Sequence, residues 1–347
     1  MQKEKISIIL PCHNVENTID RCINSILLQS YGLENLELVC VDDASNDSTL
    51  QKLQEWELKL PENLMLIPLE KNQMLGEARN IGLSYATGEY IAFIDTDDWI
   101  DPLYFEVLYQ AISEYQVPMV RCEHIRDFTK PEDTVLSEKS ALQSFPCQYR
   151  NLNTEQLKKD SIRIMSQDLM AWGKLIKKKF LIENNIYFPS GLAYEDNFWG
   201  PLLYLYAESY CVIKAPLYHY YVNESSLSMK MNAPHHPDFL TVQLLKINEL
   251  DKRGFLANYP DEIEYDFLHS CYLDFMKLIC MRYDPPSYSL YQLMCQIVLE
   301  HAPNYKDNPY FEQGFTQFQK ILLGLLSVKV DKDSFMQFAE HIKQLGV

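Results

Sequence analysis

The chain lacks the glycine-rich signatures of two large nucleotide-binding classes. Neither G-x-G-x-x-G nor G-x-x-x-x-G-K-[ST] occurs in its 347 residues, which removes the dinucleotide fingerprint and the P-loop. H-E-x-x-H and G-x-S-x-G are missing as well, and with them two common hydrolase motifs. Cations are scarce: 31 Lys and Arg stand against 48 Asp and Glu, a formal net charge of −17. A duplex binder rests its affinity on neutralising phosphates with Lys and Arg, so no nucleic-acid partner is expected. An acidic site still accepts a small phosphorylated ligand when a divalent cation accompanies it. None of the nine cysteines forms a C-x-x-C pair, and their number is odd. Reduced, mostly buried thiols of a cytoplasmic protein are the simplest reading.

Long apolar runs are also missing. No window reaches the ~18–20 apolar residues of a spanning helix. The opening "MQKEKISIILPCHN" has too short an apolar run for a signal peptide and no small-residue cleavage site. The most apolar stretch, "ILLGLLSV" (321–328), suits a buried helix; peripheral contact with the inner face of a membrane is the alternative. Glycine is sparse, no Ser/Gly/Pro tract occurs, and no internal repeat is visible, so large disordered regions are not expected.

What is present is an alternation. "KISIILP" (5–11), "LELVCV" (36–41), "NLMLIPL" (63–69) and "EYIAFI" (89–94) read as strands. Helical spacing separates them over 15–30, after the capping residues "SNDST", and over 75–86. The pattern β-α-β-α-β-α-β predicts a mainly parallel sheet flanked by helices, and the continuous apolar strands suit a sheet covered on both faces. A further strand is expected after Pro118, a loop excursion over 127–150, and a helix over 154–165. Residues 170–185 read as a strand passing into a short helix, and 190–209 as a loop followed by a helix opening near Glu195. Two short strands are expected around Pro216. From about Pro237 the pattern is helical.

Ligands of such sheets bind beyond the carboxyl ends of the strands. His13–Asn14, Asp42–Asp43 and Asp95–Asp97 all fall there. Asp95 and Asp97 are two apart on an extended segment, so they face the same way and suit a hard cation such as Mg²⁺ or Mn²⁺ shared with a substrate's phosphates. Asp98 and Asp101 read as residues of a solvated turn, with Asp98 capping the next helix. Asp42 and Asp43 suit either the imide N–H of a base or turn chemistry, and Asp47 and Ser48 read as caps. Arg79 suits a diphosphate if buried, or a neighbouring acid if exposed. Glu195–Asp196 are helix-dipole stabilisers in one reading and a general base in the other.

Together these residues resemble family 2 glycosyltransferases of the GT-A fold over roughly residues 5–225. "SIILPCHN", "VDDASNDST", "GEARNIGLSYATGEYIAFIDTDDW" and "YEDNFW" occur in the family's order. The resemblance implies a nucleotide-diphosphate donor such as a UDP-sugar, a Mn²⁺ or Mg²⁺ ion, a carbohydrate or glycolipid acceptor and inversion at the anomeric carbon. It places Pro11, Asn14 and Glu16 at the nucleoside, with His13 where the family often has an aromatic. It puts Asp43 on the uracil edge beside Asp42, Arg79 by the uracil or diphosphate, and Asp95 at the ribose or the ion's water shell. Asp97 becomes the metal ligand, Asp196 the base and Glu195 its support. Where the family often carries Arg after the "PLYHYY" position, the chain has Val222, Asn223, Glu224, Ser225 and Ser226; His219 and Lys230 are then either substitutes for a diphosphate clamp or residues of the core or surface. The domain expectation is a catalytic region at 1–225, with a nucleotide-binding half (1–117) and an acceptor-side half (118–225). A helical region at 226–347 follows, offering a surface for self-association. A sugar-nucleotide nucleotidyltransferase and a non-catalytic sugar-nucleotide binder are the alternatives.

Overall fold

The computed structural model describes residues 3–136, 145–222, 226 and 229–345. They divide into two compact units: the first takes 1–154, 170–191 and 202–223, the second 155–169, 192–201 and 224–347.

The first unit is built on a nine-stranded sheet. Its strands are β1 (Ile6–Cys12), β2 (Leu36–Asp42), β3 (Leu64–Pro68), β4 (Tyr90–Phe93), β5 (Trp99–Ile100), β6 (Met119–Asp127), β7 (Cys147–Asn151), β8 (Lys174–Lys177) and β9 (Ser209–Tyr221), in the order 3-2-1-4-8-6-9-5 with β7 on β9. The first four strands are parallel, as the alternation predicts. Beyond them β8 runs antiparallel between β4 and β6. Helices α1 (Ile19–Leu27), α2 (Thr49–Lys59), α3 (Met74–Tyr85), α4 (Tyr104–Tyr115) and α6 (Lys178–Glu183) fill the connections, and α5 (Glu155–Arg163) belongs to the second unit.

Side chains alternate across a pleated strand. Ile8, Leu10, Leu38 and Cys40 therefore pack with α1, α2 and α4, while Val39 and Val41 turn to Ala78 and Ile81 of α3. Helix α3 lies close because position 82 is glycine: a Cβ there would stand 2.5 Å from Ile9 Cγ2. This close packing sets α3 and Arg79 against the strand ends.

Two sequence expectations need correction. Residues 209–221 form one continuous strand, not two around Pro216. Pro216 pairs with Glu123 at a register shift where extra residues of β9 bulge against β6, so the ladder is already interrupted and a missing N–H is tolerated. Within 127–150 the excursion ends in strand β7, a short polar edge strand whose exposed residues hide the usual alternation; residues 137–144 lie outside the described residues.

The second unit is helical. It holds α5 and the start of α7 (Asp196–Tyr206). It continues through α8 (Asp238–Lys252), α9 (Phe255–Asn258), α10 (Pro260–Phe267), α11 (Phe275–Arg282), α12 (Tyr288–His301), α13 (Phe311–Gly314), α14 (Gln317–Gly324) and α15 (Lys332–Leu345). A π-helical segment, Leu268–Asp274, joins α10 to α11. Phe267, Tyr272, Phe275, Met294 and Phe335 form its core. Leu322, Leu323 and Leu326 of the "ILLGLLSV" stretch are buried, as a core helix requires, while Ile321 and Val328 are exposed. Among the described residues no helix is long and apolar enough to cross a membrane.

Candidate active site

In the first unit the loops after β1 and β2 are stitched together. Asn14 Oδ1 accepts from the Asn46 amide at 2.9 Å, Ser45 Oγ from the Asn14 amide at 3.1 Å, and Glu16 Oε2 from the Ser48 amide at 2.9 Å. Asn14 and Ala44 take left-handed backbone angles, φ 55° and 54°, so both loops turn sharply at the strand ends. Asp47 acts as the expected cap, accepting the Thr49 amide at 2.9 Å, and also takes the Glu16 amide. Ser48 makes no side-chain cap bond.

Asp42 and Asp43 are both buried. Asp43 Oδ1 accepts the Gln73 amide at 2.6 Å, which ties the β2 end to the start of α3. Burial holds its carboxyl above the ordinary range, against the opposing bonds from the Gln73 and Met74 amides. Asp42 Oδ2 accepts the Ser45 amide, while its Oδ1 is buried with no hydrogen-bond partner among the described residues. His13 is exposed and its Nδ1 lies 2.8 Å from the Asp43 carbonyl, where it donates; Asn72 reaches the same ring.

The fourth strand ends in the acidic loop. Arg79, 2% exposed, places Nη2 2.6 Å from Asp95 Oδ1. Arg79 thus combines the two readings: it is buried, and its partner is a neighbouring acid, Asp95. The Asp97 carboxylate receives no side-chain donor among the described residues. Burial, followed by the charge of Asp95, raises its pKa to about 6.

Asp98 is not the exposed helix cap expected from sequence. It is fully buried, accepting the Tyr218 hydroxyl at 2.7 Å on Oδ2 and the Tyr221 amide at 2.7 Å on Oδ1. Burial and then the charges of Asp97 and Asp95 push its carboxyl well up. Asp101 does the capping: its Oδ1 takes the Leu103 amide at 2.8 Å.

Four holders of this loop escape a reading of local sequence. The Tyr218 hydroxyl accepts the Asp95 amide at 3.2 Å while donating to Asp98. Thr96 Oγ1 donates to the Pro11 carbonyl at 2.9 Å. Arg21, on α1, donates to the Asp97 carbonyl at 2.7 Å from beneath the Trp99 and Tyr221 rings. The Tyr221 amide, already noted, completes the set. His219 stacks on Trp99, and its Nδ1 lies 3.0 Å from Asp127 Oδ2, so that nitrogen is engaged within the sheet. Asn223, Glu224 and Ser225 lie outside the described residues, and Lys230 is an exposed residue of the second unit.

The donor set fits a hard cation. Among the described residues no three of His, Cys, Asp and Glu cluster to hold a metal unaided. Asp95 and Asp97 offer carboxylate oxygens and leave other positions to water and phosphate, as Mg²⁺ and Mn²⁺ sites commonly do.

Glu195 and Asp196 belong to the second unit and open α7. Tyr194 has φ 64°, a strained angle for a bulky residue. Two bonds to the chain around α8 hold it: the Ala193 amide donates to Asp238 Oδ2 at 3.1 Å, and the Tyr194 hydroxyl lies 2.7 Å from His236 Nδ1. The His236 Nε2 faces the Lys230 carbonyl, so Nε2 donates and Nδ1 accepts from Tyr194. Glu195 is buried, Asp196 half-buried, and Asn197 Nδ2 donates to Asp196 Oδ1 at 3.0 Å.

The arrangement of strands and rim is that of the GT-A class. The structure of the UDP complex of TarS residues 1–349 from Staphylococcus aureus superposes with a TM-score of 0.59 at 22% identity, covering 90% of this chain and 93% of that one. The chain belongs to glycosyl transferase family 2, whose model matches residues 7–182. Its relatives include glycosyltransferase GlyA of Streptococcus pneumoniae, 31% identical over 65% of this chain, and the putative glycosyltransferase EpsH of Bacillus subtilis, 28% identical over 78%. The poly(ribitol-phosphate) β-N-acetylglucosaminyltransferase TarS of S. aureus is 28% identical over 76%. The matched stretch spans 32% of GlyA, 76% of EpsH and 44% of TarS.

Proposed function

We propose that the chain transfers a sugar from a UDP-linked donor to an acceptor hydroxyl of a cell-surface polysaccharide or glycolipid, with inversion. The observation that carries this reading is the convergence of Asp42, Asp43, Arg79, Asp95 and Asp97 at the carboxyl ends of adjacent parallel strands. TarS, crystallised with UDP and with UDP-GlcNAc, supports the choice of donor, and its polymer substrate supports the choice of acceptor.

In this reading Asp42 and Asp43 receive the base, beside the Pro11–Glu16 loop with His13 and Asn14. Arg79 holds Asp95 in place for the ribose or the ion's water shell. Asp97, with Asp95, would hold the Mn²⁺ or Mg²⁺ ion, which supplies positive charge against the diphosphate when bound. Asp196 accepts the proton of the acceptor hydroxyl as its oxygen attacks the anomeric carbon and the bond to the diphosphate breaks. Glu195 supports Asp196. We assign donor binding to residues 1–117 and acceptor binding to 118–225, leaving 226–347 for support and self-association. Nine unpaired thiols support a cytoplasmic reaction, at the inner face of a membrane where the acceptor is lipid-linked.

The test is Asp196→Asn. Transfer from UDP-GlcNAc should fall by about 10³-fold while UDP affinity stays within twofold, since a general base acts in the transition state and not in donor binding. Retained turnover would remove Asp196 from the base role.

A further inference from the structure

Inside the second unit a chain of buried polar side chains ends on Asp196. Lys246 Nζ donates to Ser270 Oγ at 3.2 Å and to Asp266 Oδ2 at 2.8 Å. Ser270 Oγ lies 2.9 Å from Gln243 Oε1, Gln243 Nε2 lies 3.2 Å from Asn197 Oδ1, and Asn197 Nδ2 reaches Asp196 Oδ1. Gln243, Lys246, Asp266 and Ser270 are each at most 2% exposed, and Asn197 is 8% exposed.

The chain has one direction. Lys246 carries only donors and an ionised Asp196 only acceptors. Turning either amide would set oxygen against oxygen, at Asp196 or between Asn197 and Gln243. Both amides therefore donate toward Asp196, and the Ser270 hydroxyl, which accepts from Lys246, lies 2.9 Å from both Gln243 Oε1 and the Asp266 carbonyl and shares its one proton between them. The Lys246–Asp266 pair anchors the far end, and Ser270 stands in the π-helical segment, an irregularity frequent at functional sites. Apolar side chains would fill the same space without desolvating five polar groups.

We propose that Asn197, Gln243 and Ser270, anchored by Lys246 and Asp266, are positioning residues that fix the rotamer of the Asp196 carboxylate for proton transfer. The helices that follow the sheet unit in sequence thereby act on the reaction as the outer support of its base. This rests on the reading of Asp196 as the base.

The experiment measures kcat and KM for UDP-GlcNAc, UDP affinity and thermal midpoint in the 347-residue chain. Its variants are Gln243→Leu, Ser270→Ala and Gln243→Glu, with Asp196→Asn in parallel. Ser270→Ala is the gentlest and keeps the test valid if Gln243→Leu does not fold. The expected result is a fall in kcat of about tenfold or more for each folded variant, because small misplacement of a reacting group is costly. KM for the donor and UDP affinity should stay within twofold. Gln243→Glu, nearly the same shape, should lose at least as much as Gln243→Leu, since its oxygens oppose the required direction. Wild-type kcat in Ser270→Ala and Gln243→Leu, with only the thermal midpoint lowered, would overturn the relay while leaving the base assignment standing. Wild-type kcat in Asp196→Asn would overturn the base assignment and the relay with it.

Discussion

At the scale of single residues, the acidic cluster at the end of β4 separates into parts with different work. Asp98 is a buried anchor, Asp101 a helix cap, Asp95 the partner of Arg79, and Asp97 the carboxylate without a side-chain donor among the described residues. From sequence all four are similar acids, and only the pairing of Asp95 with Asp97 stands out. What separates Asp98 from Asp97 is Tyr218, a residue 120 positions away that no local pattern connects to it. Asp97 carries a stability consequence. Its folded pKa, about 6, lies above the ordinary 3.8, so in cation-free protein the native state holds the extra proton between these values. Stability therefore falls as pH rises through that window. Asp97→Asn removes the decline and should stabilise the cation-free chain by about 2 kcal/mol at pH 7, with little difference below pH 4. Urea unfolding in EDTA measures it; a variant no more stable than wild type at pH 7 would contradict the assigned environment.

At the scale of elements, the first four strands were readable because each is a continuous apolar run bounded by capping residues. Their parallel register then places the polar ends together. Strand β9 is less readable because Pro216 normally ends a strand, and here a bulge of β9 against β6 absorbs it. Strand β7 carries no buried face to betray it. The support of the acidic loop is assembled from β1, α1 and β9, so its members are separated by up to 123 residues in sequence. Tyr218 on β9 is the sharpest case. Replacing it with Phe removes the acceptor of the Asp95 amide and the donor to Asp98 together. That change should weaken Mn²⁺-dependent UDP binding about tenfold, as losses of support around metal ligands commonly do. Calorimetric titration of Tyr218→Phe decides it, and an unchanged affinity would show that the loop keeps its geometry without the hydroxyl.

At the scale of the whole molecule, the proposed reading assigns the nucleotide diphosphate and the hard cation to the sheet unit, and the base with its buried support to the helical unit. The sequence motifs carry both ends of the proposed reaction, but the helices after Pro237 match no motif, and their polar relay is visible only once Gln243, Lys246 and Ser270 are brought beside Asn197. In the proposed reading, a chain of net charge −17 gains affinity for a phosphorylated donor when a divalent cation enters with it. Titration of UDP into the 347-residue chain with and without Mn²⁺, wild type beside Asp97→Asn, tests this most directly. Binding should strengthen by at least tenfold when Mn²⁺ is added to wild type, and Asp97→Asn should show no such gain. Equal Mn²⁺-dependent binding in both proteins would contradict the account.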